Sequence, residues 1–395
     1  MATKLKVLNL SYCDNLRRTP DLFAFKNLEI LILDFCWNLK EIHPSIWYIK
    51  TLVSLDVRCC LNLKELPARV GRMEESSKLL CHDKLAQFPE SLGFLESLTL
   101  LNLSMSGIKE LPESISSMKA LKTVNAYWCP SLARLPSSIG NLASLSLLNL
   151  SICSSLREIP DSIGKLTSLT YLLLRGTSIT KLPESIGNLQ NLRTLELNGT
   201  LVIELPSAIG MLTNLQELSA SNCKNLEGLP SNTGALISLN ELELQGSGIR
   251  GLPESISKLS SLRFLDVRYC ENLGELPEPP SSLTSLHVTF PTPSLPFLSK
   301  LTLLKDLTLS DLRPLECLPE LPVRLSRLRI EFGHLPDTDV WDLKETIPVL
   351  IRDKSSGLRK AIFYPDVWDC LQYDIREANP DLEDLEAIYG GNELE

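Results

Sequence analysis

Residues 145–166 read LSLLNLSICSSLREIPDSIGKL, and residues 169–189 read LTYLLLRGTSITKLPESIGNL. Both stretches follow one frame: L-x-x-L-x-L, then Cys, Thr or Ser, then an aliphatic residue and, in most copies, Leu-Pro. The frame opens at fourteen places: Leu5, Leu28, Leu52, Leu98, Leu121, Leu145, Leu169, Leu192, Leu215, Leu239, Leu262, Leu283, Leu304 and Leu325. A unit of this size cannot bury its apolar face alone, so neighbouring copies are expected to stack around a shared core.

One interval between frames is too long for a single unit. Between Leu52 and Leu98 the chain holds a degenerate fifteenth unit near 72–89, where Leu79, Leu85 and Phe88 keep the spacing. Polar residues interrupt the pattern near 73–82. Two interpretations stay open for this unit: ordinary decay of one repeat, or a hinge or partner-binding loop.

Each part of the frame predicts a piece of structure. The segment x-L-x-L-x alternates with period two, which predicts a strand with leucines on one face and the x residues on the other. The Cys, Thr or Ser that follows is a small donor, placed to satisfy carbonyls that a turn would leave unpaired. Pro-Glu-Ser-Ile-Gly then predicts about one helical turn. The expected fold is an α/β solenoid (a horseshoe) with a concave parallel sheet of about 14–15 strands and short 3-10 or helical turns on the convex side.

Composition and charge restrict the partners and the compartment. The formal net charge of −9 argues against nucleic acid, since phosphate binding needs a basic surface. No apolar run reaches the roughly 18 residues of a membrane span, and the N-terminal MATKLKVLNLSYC has no apolar signal region.

Seven of the eleven cysteines share one repeat position: Cys13, Cys36, Cys60, Cys129, Cys153, Cys223 and Cys270. This spacing indicates free, buried thiols and a reducing compartment, so the expected location is the cytoplasm or the nucleus.

The repeats resemble those of a known family. Similarity to the leucine-rich repeats of plant TIR–NB-ARC–LRR disease-resistance proteins is carried by LKVLNLSYCDNLRRTPDL, LEILILDFCWNLKEIHPSI, LVSLDVRCCLNLKELP and the phrase LPESIGNL, whose variants recur along the chain. This resemblance implies a leucine-rich-repeat solenoid that recognises a protein in plant defence. The sequence contains no Gly-x-x-x-x-Gly-Lys-Ser/Thr phosphate loop and no TIR-like segment before the repeats, so nucleotide switching is not implied.

A second resemblance gives the alternative function. LPESIGNL units are also typical of intracellular scaffolds that bind Ras-like small GTPases, but those repeats carry mostly Asn at the turn position where this chain carries Cys. An enzyme is not expected, because the four histidines fall in separate units with no catalytic partners at useful spacing. We expect no cofactor, no metal site and no small-molecule ligand.

The x positions of the strands are the predicted binding surface, because the scaffold holds them rigidly and they take no part in the core. Two groups there combine the aromatic, arginine and charged residues that dominate protein interfaces. The first group is Tyr127, Trp128, Tyr171 and Arg175, and the second is Phe264, Asp266, Arg268 and Tyr269. Each residue could instead decorate a solvated sheet, with each arginine paired to a neighbouring carboxylate.

The domain boundary follows from where the frame ends. Residues 1–332 are predicted to form the solenoid, with the degenerate repeat near 72–89 inside it. Residues 333–395 lose the frame and are predicted to form a C-terminal cap or appended segment with an acidic tail.

Overall fold

A computed structural model describes residues 4–63, 66–67, 77–81, 95–289, 298–310, 321–322, 324–331, 360–363 and 384–387. The chain divides into two compact units, Met1–Leu215 and Gln216–Glu395. Both units are built from short parallel strands and 3-10 helices, in the order that the repeat frame predicts.

The described part of the first unit contains nine strands. They are β1 (Val7–Asn9), β2 (Ile30–Ile32), β3 (Ser54–Val57), β4 (Ser77–Cys81), β5 (Leu98–Asn102), β6 (Thr123–Asn125), β7 (Leu147–Asn149), β8 (Tyr171–Leu173) and β9 (Thr194–Glu196). Each strand pairs in parallel with the next along the chain, and the second leucine of the frame aligns from coil to coil, as Leu148 does with Leu172. The parallel sheet predicted from the alternating leucines is therefore confirmed.

The second unit continues the same pattern in its described residues. Its strands are β10 (Glu217–Ser219), β11 (Glu241–Glu243), β12 (Phe264–Val267), β13 (Ser285–Thr289), β14 (Asp306–Ser310), β15 (Arg327–Glu331), β16 (Lys360–Phe363) and β17 (Asp384–Ala387). All consecutive pairs are parallel. Strands β1 to β15 lie within residues 1–332 and agree with the predicted 14–15. Strands β16 and β17 fall in the predicted cap, the rest of which lies outside the described residues.

The core of each unit is a stack of aliphatic side chains from the frame positions. Leu148, Leu150 and Leu172 are fully buried in the first unit, and Leu242, Leu244 and Leu265 are buried in the second. The degenerate repeat contributes to this core as well. Its strand β4 pairs with β3 and β5, and Leu79 is buried between Leu55 and Leu101. Residues 82–90, including Leu85, Phe88 and Pro89, lie outside the described residues.

The turn cysteines have the hydrogen-bonding role predicted from their spacing. Their thiols donate to a carbonyl of the preceding coil: Cys129 Sγ to Leu103 O at 3.0 Å, and Cys153 Sγ to Ala126 O at 3.1 Å. Where the frame has Thr at this position the hydroxyl bonds within its own coil, since Thr177 Oγ1 donates to Leu174 O at 2.8 Å. The described cysteines are free, which agrees with the prediction of unpaired thiols.

The predicted helical turns are 3-10 helices. They span Pro44–Tyr48, Glu113–Ser117, Ser137–Asn141, Asp161–Lys165, Glu184–Asn188 and Ser207–Met211 in the first unit, and Thr233–Ala235, Glu254–Lys258 and Leu298–Lys300 in the second. Most follow a proline in extended conformation, such as Pro160. The glycine of the Ser-Ile-Gly phrase lies inside the helix and does not end it. A Cβ on Gly164 would collide with the backbone oxygen of Ser185, so this glycine permits close approach of the next coil.

Candidate protein-binding surface

The sheet of the first unit presents three rows of side chains on the face opposite its leucine core. From β6 to β8 the first row is Thr123, Leu147 and Tyr171, the middle row is Asn125, Asn149 and Leu173, and the third row is Tyr127, Ser151 and Arg175. The third row lies just beyond the strands, but backbone bonds from Trp128 N to Ser151 O (2.8 Å) and from Ile152 N to Arg175 O (2.6 Å) keep the coils aligned. Side chains in one row are therefore neighbours at about 4.8 Å per coil.

The first predicted group divides between two of these rows. Tyr127 and Arg175 share the third row two coils apart, about 10 Å by strand spacing. Tyr171 begins β8 and so lies four residues from Arg175, about 13 Å along the strand. Trp128 packs against Tyr127, with ring centroids 6.3 Å apart in a T-shaped arrangement. The group thus has Tyr127 and Arg175 on one row, Trp128 packed beside Tyr127, and Tyr171 at the other end of its strand.

Arg175 is the charged residue of that row. Its guanidinium makes no hydrogen bond or ion pair with any residue that the structure describes. The side chain is exposed, as are Trp128 (51%) and Tyr171 (42%). Ser151 lies between Tyr127 and Arg175 on this row and is buried. The row therefore has two large exposed side chains separated by one small buried side chain.

In the second predicted group, which lies in the second unit, two of the four residues bond to each other. Arg268 donates from Nη2 to Asp266 Oδ2 at 2.8 Å and from Nε to Asp266 Oδ1 at 3.1 Å. Asp266 is only 4% exposed, so its carboxylate is less available to a partner than its place on the outward row suggested. Phe264 packs edge-on against His287 at 4.9 Å. Tyr269 is the member that faces solvent, at 43% exposure.

The neighbours of Asp266 set its protonation. Burial alone would raise the pKa of this carboxyl, but hydrogen bonds from His287 and Arg268 and the charge of Arg268 lower it below the usual value. His287 Nδ1 lies 3.5 Å from Asp266 Oδ2. Asp266 is therefore ionised at neutral pH and holds Arg268 in place, which agrees with the alternative that the arginine pairs with a neighbouring carboxylate.

Sequence reasoning missed a set of residues immediately before the turn Cys, Ser or Thr. At this position the backbone has positive φ in coil after coil: Tyr12, Phe35, Cys59, Met105, Trp128, Ile152, Asn222 and Tyr269, together with Gly176, Gly199 and Gly246. The glycines before Thr177, Thr200 and Ser247 were a usable signal, because a repeated Gly marks a left-handed turn. The aromatic character of Trp128 and Tyr269 predicted a binding role for them, but not their left-handed backbone.

No group of three or more His, Cys, Asp or Glu among the described residues could hold a metal ion. Within the same residues, no helix has the length and apolar character needed to cross a membrane.

Comparison with known proteins agrees with this geometry. A family model described as a leucine-rich repeat region matches residues 145–247. A leucine-rich-repeat protein of Leptospira interrogans has the same fold, with a TM-score of 0.55 at 25% identity over 98% of this chain and 96% of that chain. The fold is a leucine-rich-repeat solenoid. The functional domain of InlJ from Listeria monocytogenes, which includes a cysteine ladder, shares the fold with a TM-score of 0.56 at 16% identity, covering 92% of this chain and 74% of that chain.

The leucine-rich repeats are also similar in sequence to plant proteins. They are 36% identical over 124 residues to TMV resistance protein N of Nicotiana glutinosa, covering 31% of this chain and 11% of that protein. Disease resistance protein RML1A of Arabidopsis thaliana is 34% identical over 126 residues, covering 32% of this chain and 12% of that protein. The predicted similarity to plant disease-resistance proteins is confirmed for this part of the chain, which spans about a tenth of the relatives' length.

Proposed function

We propose that this leucine-rich-repeat chain is a non-enzymatic recognition module of plant disease resistance that acts in the cytoplasm or nucleus. It binds a protein partner, either pathogen-derived or a host protein, on the solvent face of its sheet. The observation that carries the proposal is the third row of the first unit, where Tyr127 and Arg175 lie exposed and Trp128 packs beside Tyr127. Arg175 has no side-chain partner among the described residues.

Physical reasons favour a protein as the ligand of this row. Tryptophan, tyrosine and arginine contribute most of the binding energy in protein interfaces, because they bury large areas around a directional polar group. The exposed aromatic rings gain apolar contact when a partner covers them. Arg175 loses little on binding, since it has no described intramolecular partner to give up.

The second group contributes less in this proposal. Its exposed member is Tyr269, while Asp266 and Arg268 are bonded to each other. We therefore assign Tyr269 and Phe264 to contact with a partner, and Asp266 and Arg268 to positioning of the surface. The two groups lie in different units.

The non-enzymatic part of the proposal is supported by the two described histidines. His43 Nδ1 accepts a hydrogen bond from Ser45 N at 3.2 Å at the start of a 3-10 helix. His287 lies beside Asp266 and Phe264 on another unit. His43 Nδ1 also lies 2.8 Å from Ser45 Oγ and 4.0 Å from Asp21 Oδ1. Because one ring nitrogen faces both groups, these residues are not arranged as a Ser-His-Asp relay, in which the serine and the carboxylate bind opposite ring nitrogens.

Proximity labelling in plant leaf tissue, with and without pathogen challenge, tests the proposal. The wild-type chain is compared with Trp128→Ala plus Arg175→Ala, and with a control, Lys165→Ala plus Met211→Ala. The control also removes one exposed cation and one exposed apolar side chain, but from the 3-10 helices.

We expect a set of proteins that the wild type and the control label and the face variant does not, with all three chains melting at similar temperatures. Identical labelling by all three would contradict binding on this face. A Ras-like small GTPase within the face-dependent set would favour the scaffold function over disease resistance.

A further inference from the structure

The turn position before each Cys, Ser or Thr is strained in some coils and relaxed in others. A positive φ near 60° brings the Cβ of an L-residue close to the following carbonyl oxygen, whereas glycine adopts it freely. Trp128 has φ 56° and Ile152 has φ 63° at this position. A β-branched residue there is a true outlier, so these coils keep large side chains against a steric cost.

The coil itself does not need those side chains. Gly176 and Gly199 make the same turn in the next two coils, with φ of 64° and 66°. A Cβ on Gly199 would meet nothing within 4 Å. Because glycine makes the same turn, the backbone conformation does not require the large side chains, and strained positions of this kind concentrate at functional sites.

Three of the large residues lie in successive coils and form what we call the left-handed ridge: Met105, Trp128 and Ile152. Met105 is 40% exposed and Trp128 is 51% exposed. Ile152 leans over the following coil, where its Cδ1 lies 3.0 Å from the position that a Cβ on Gly176 would occupy. The ridge thus places three apolar side chains on successive coils and ends at Gly176, which has no side chain.

One unpaired charge borders the ridge. The third row beside it consists of Ser104, Tyr127, Ser151 and Arg175, of which Arg175 alone is charged. Arg175 directly precedes Gly176, where the ridge ends, and has no partner among the described residues. A ligand on the ridge therefore meets apolar surface along three coils and a free guanidinium at the end.

We propose that the left-handed ridge with Arg175 is a docking surface for a peptide segment of a protein partner that carries an apolar side chain and, about two residues away, a carboxylate. The segment lays its apolar side chain on Trp128 and Ile152, and its carboxylate pairs with Arg175 in the two-point geometry that guanidinium favours. The proposal rests on the proposed function and specifies the chemistry of the partner.

A random dodecapeptide display library selected on the purified chain is the test. Four proteins are compared: wild type, Arg175→Glu, Trp128→Gly plus Ile152→Gly, and the control Asn222→Gly. Asn222 occupies the same left-handed position in the second unit with φ 59°, so its replacement matches the backbone change without touching the ridge. Binding of an enriched peptide is then measured by fluorescence anisotropy, and each protein is melted.

We expect wild type and control to enrich peptides with an acidic and an apolar residue, and Arg175→Glu to enrich basic peptides instead. The double glycine variant should bind the wild-type peptides at least about tenfold more weakly. It should melt at an unchanged or higher temperature, since glycine relieves the left-handed strain.

Three results would overturn the proposal: no enrichment on the wild type, an acidic preference that survives Arg175→Glu, or a fall in melting temperature in the double glycine variant. A fall in melting temperature would show that Trp128 and Ile152 stabilise the folded chain. These results are independent of the labelling experiment, so a face-dependent labelled set without peptide selection would refute the ridge alone.

Discussion

The Asp266 carboxylate accepts hydrogen bonds from both Nη2 and Nε of Arg268, which follows it by two residues. Asp266 itself is only 4% exposed. The same Leu-Asp-Val-Arg phrase recurs at Asp56 and Arg58, where Arg58 Nη2 lies 2.6 Å from Asp56 Oδ2. The two pairs differ in the exposure of their arginine side chains, 16% for Arg268 and 46% for Arg58. The same local motif therefore occurs once with a largely buried arginine and once with a solvent-exposed arginine.

Replacement of Asp266 is expected to destabilise the second unit strongly. Asp266→Asn leaves the guanidinium of Arg268 covered without its counter-charge, a kind of change that costs roughly 3–5 kcal/mol in buried pairs. Asp56→Asn should cost less, because water reaches Arg58. Urea unfolding of both variants measures the difference, and equal losses would contradict the role of burial.

The Asp266 pair should also make stability depend on pH. The pKa of Asp266 is lower in the folded chain than its usual 3.8, so the carboxylate's contribution is fully present above that value and is lost as the pH falls through the lowered pKa. The stability gap between wild type and Asp266→Asn should therefore be constant near neutral pH and shrink in acid. A difference in unfolding free energy that grows as the pH falls would contradict a lowered pKa for Asp266 in the folded chain.

The adjacent thiols Cys59 and Cys60 should differ sharply in reactivity. Burial raises the pKa of Cys60 to about 12, and its thiol donates to Leu33 O at 3.1 Å, so almost no thiolate exists at neutral pH. Cys59 is partly exposed. Brief maleimide treatment followed by peptide mass spectrometry should find Cys59 modified first, with Cys60 reacting only after denaturation. Equal rates in the native chain would refute the buried position of Cys60.

The degenerate repeat should prove to be a packed coil. Leu79 is 1% exposed in β4, so Leu79→Ala is expected to cost about 2–5 kcal/mol from lost apolar contact and the cavity left behind. Lys78→Ala, on the exposed face of the same strand, is the matched control and should change little. A negligible effect of Leu79→Ala in a urea titration would instead favour the hinge or partner-loop interpretation.

The glutamate of the Pro-Glu-Ser-Ile phrase should link successive coils. Glu113 Oε1 and Oε2 accept hydrogen bonds from Ser137 N (3.1 Å) and Ser138 N (3.0 Å), at the start of the next 3-10 helix. Hydrogen bonds from Ser138 and Ser137 lower the pKa of Glu113. Glu113→Ala should lower the urea midpoint more than Glu110→Ala, which removes only an exposed ion pair with Arg134. The reverse order would exclude the capping role.

Much of the candidate site could be located from the sequence, and its energetics could not. Alternating leucines placed Tyr127, Tyr171 and Asp266 on the outward rows, because side-chain direction in a strand follows a period of two. Which charges are free depends on contacts between side chains in space. The sequence shows the same Asp-Val-Arg spacing at Asp56 and Asp266, but only the structure shows that the Arg268 side chain is 16% exposed and that of Arg58 is 46% exposed.

The sequence by itself determined the repeat, the parallel strands, the inward leucines and the free turn thiols, since each follows from local periodicity repeated many times. Only the tertiary structure showed that Trp128 and Ile152 hold a left-handed backbone and that the Gly164 position is crowded by the next coil. Backbone dihedrals and distances between coils arise from the stacking of one unit on another, and a linear pattern of residue types does not encode them directly.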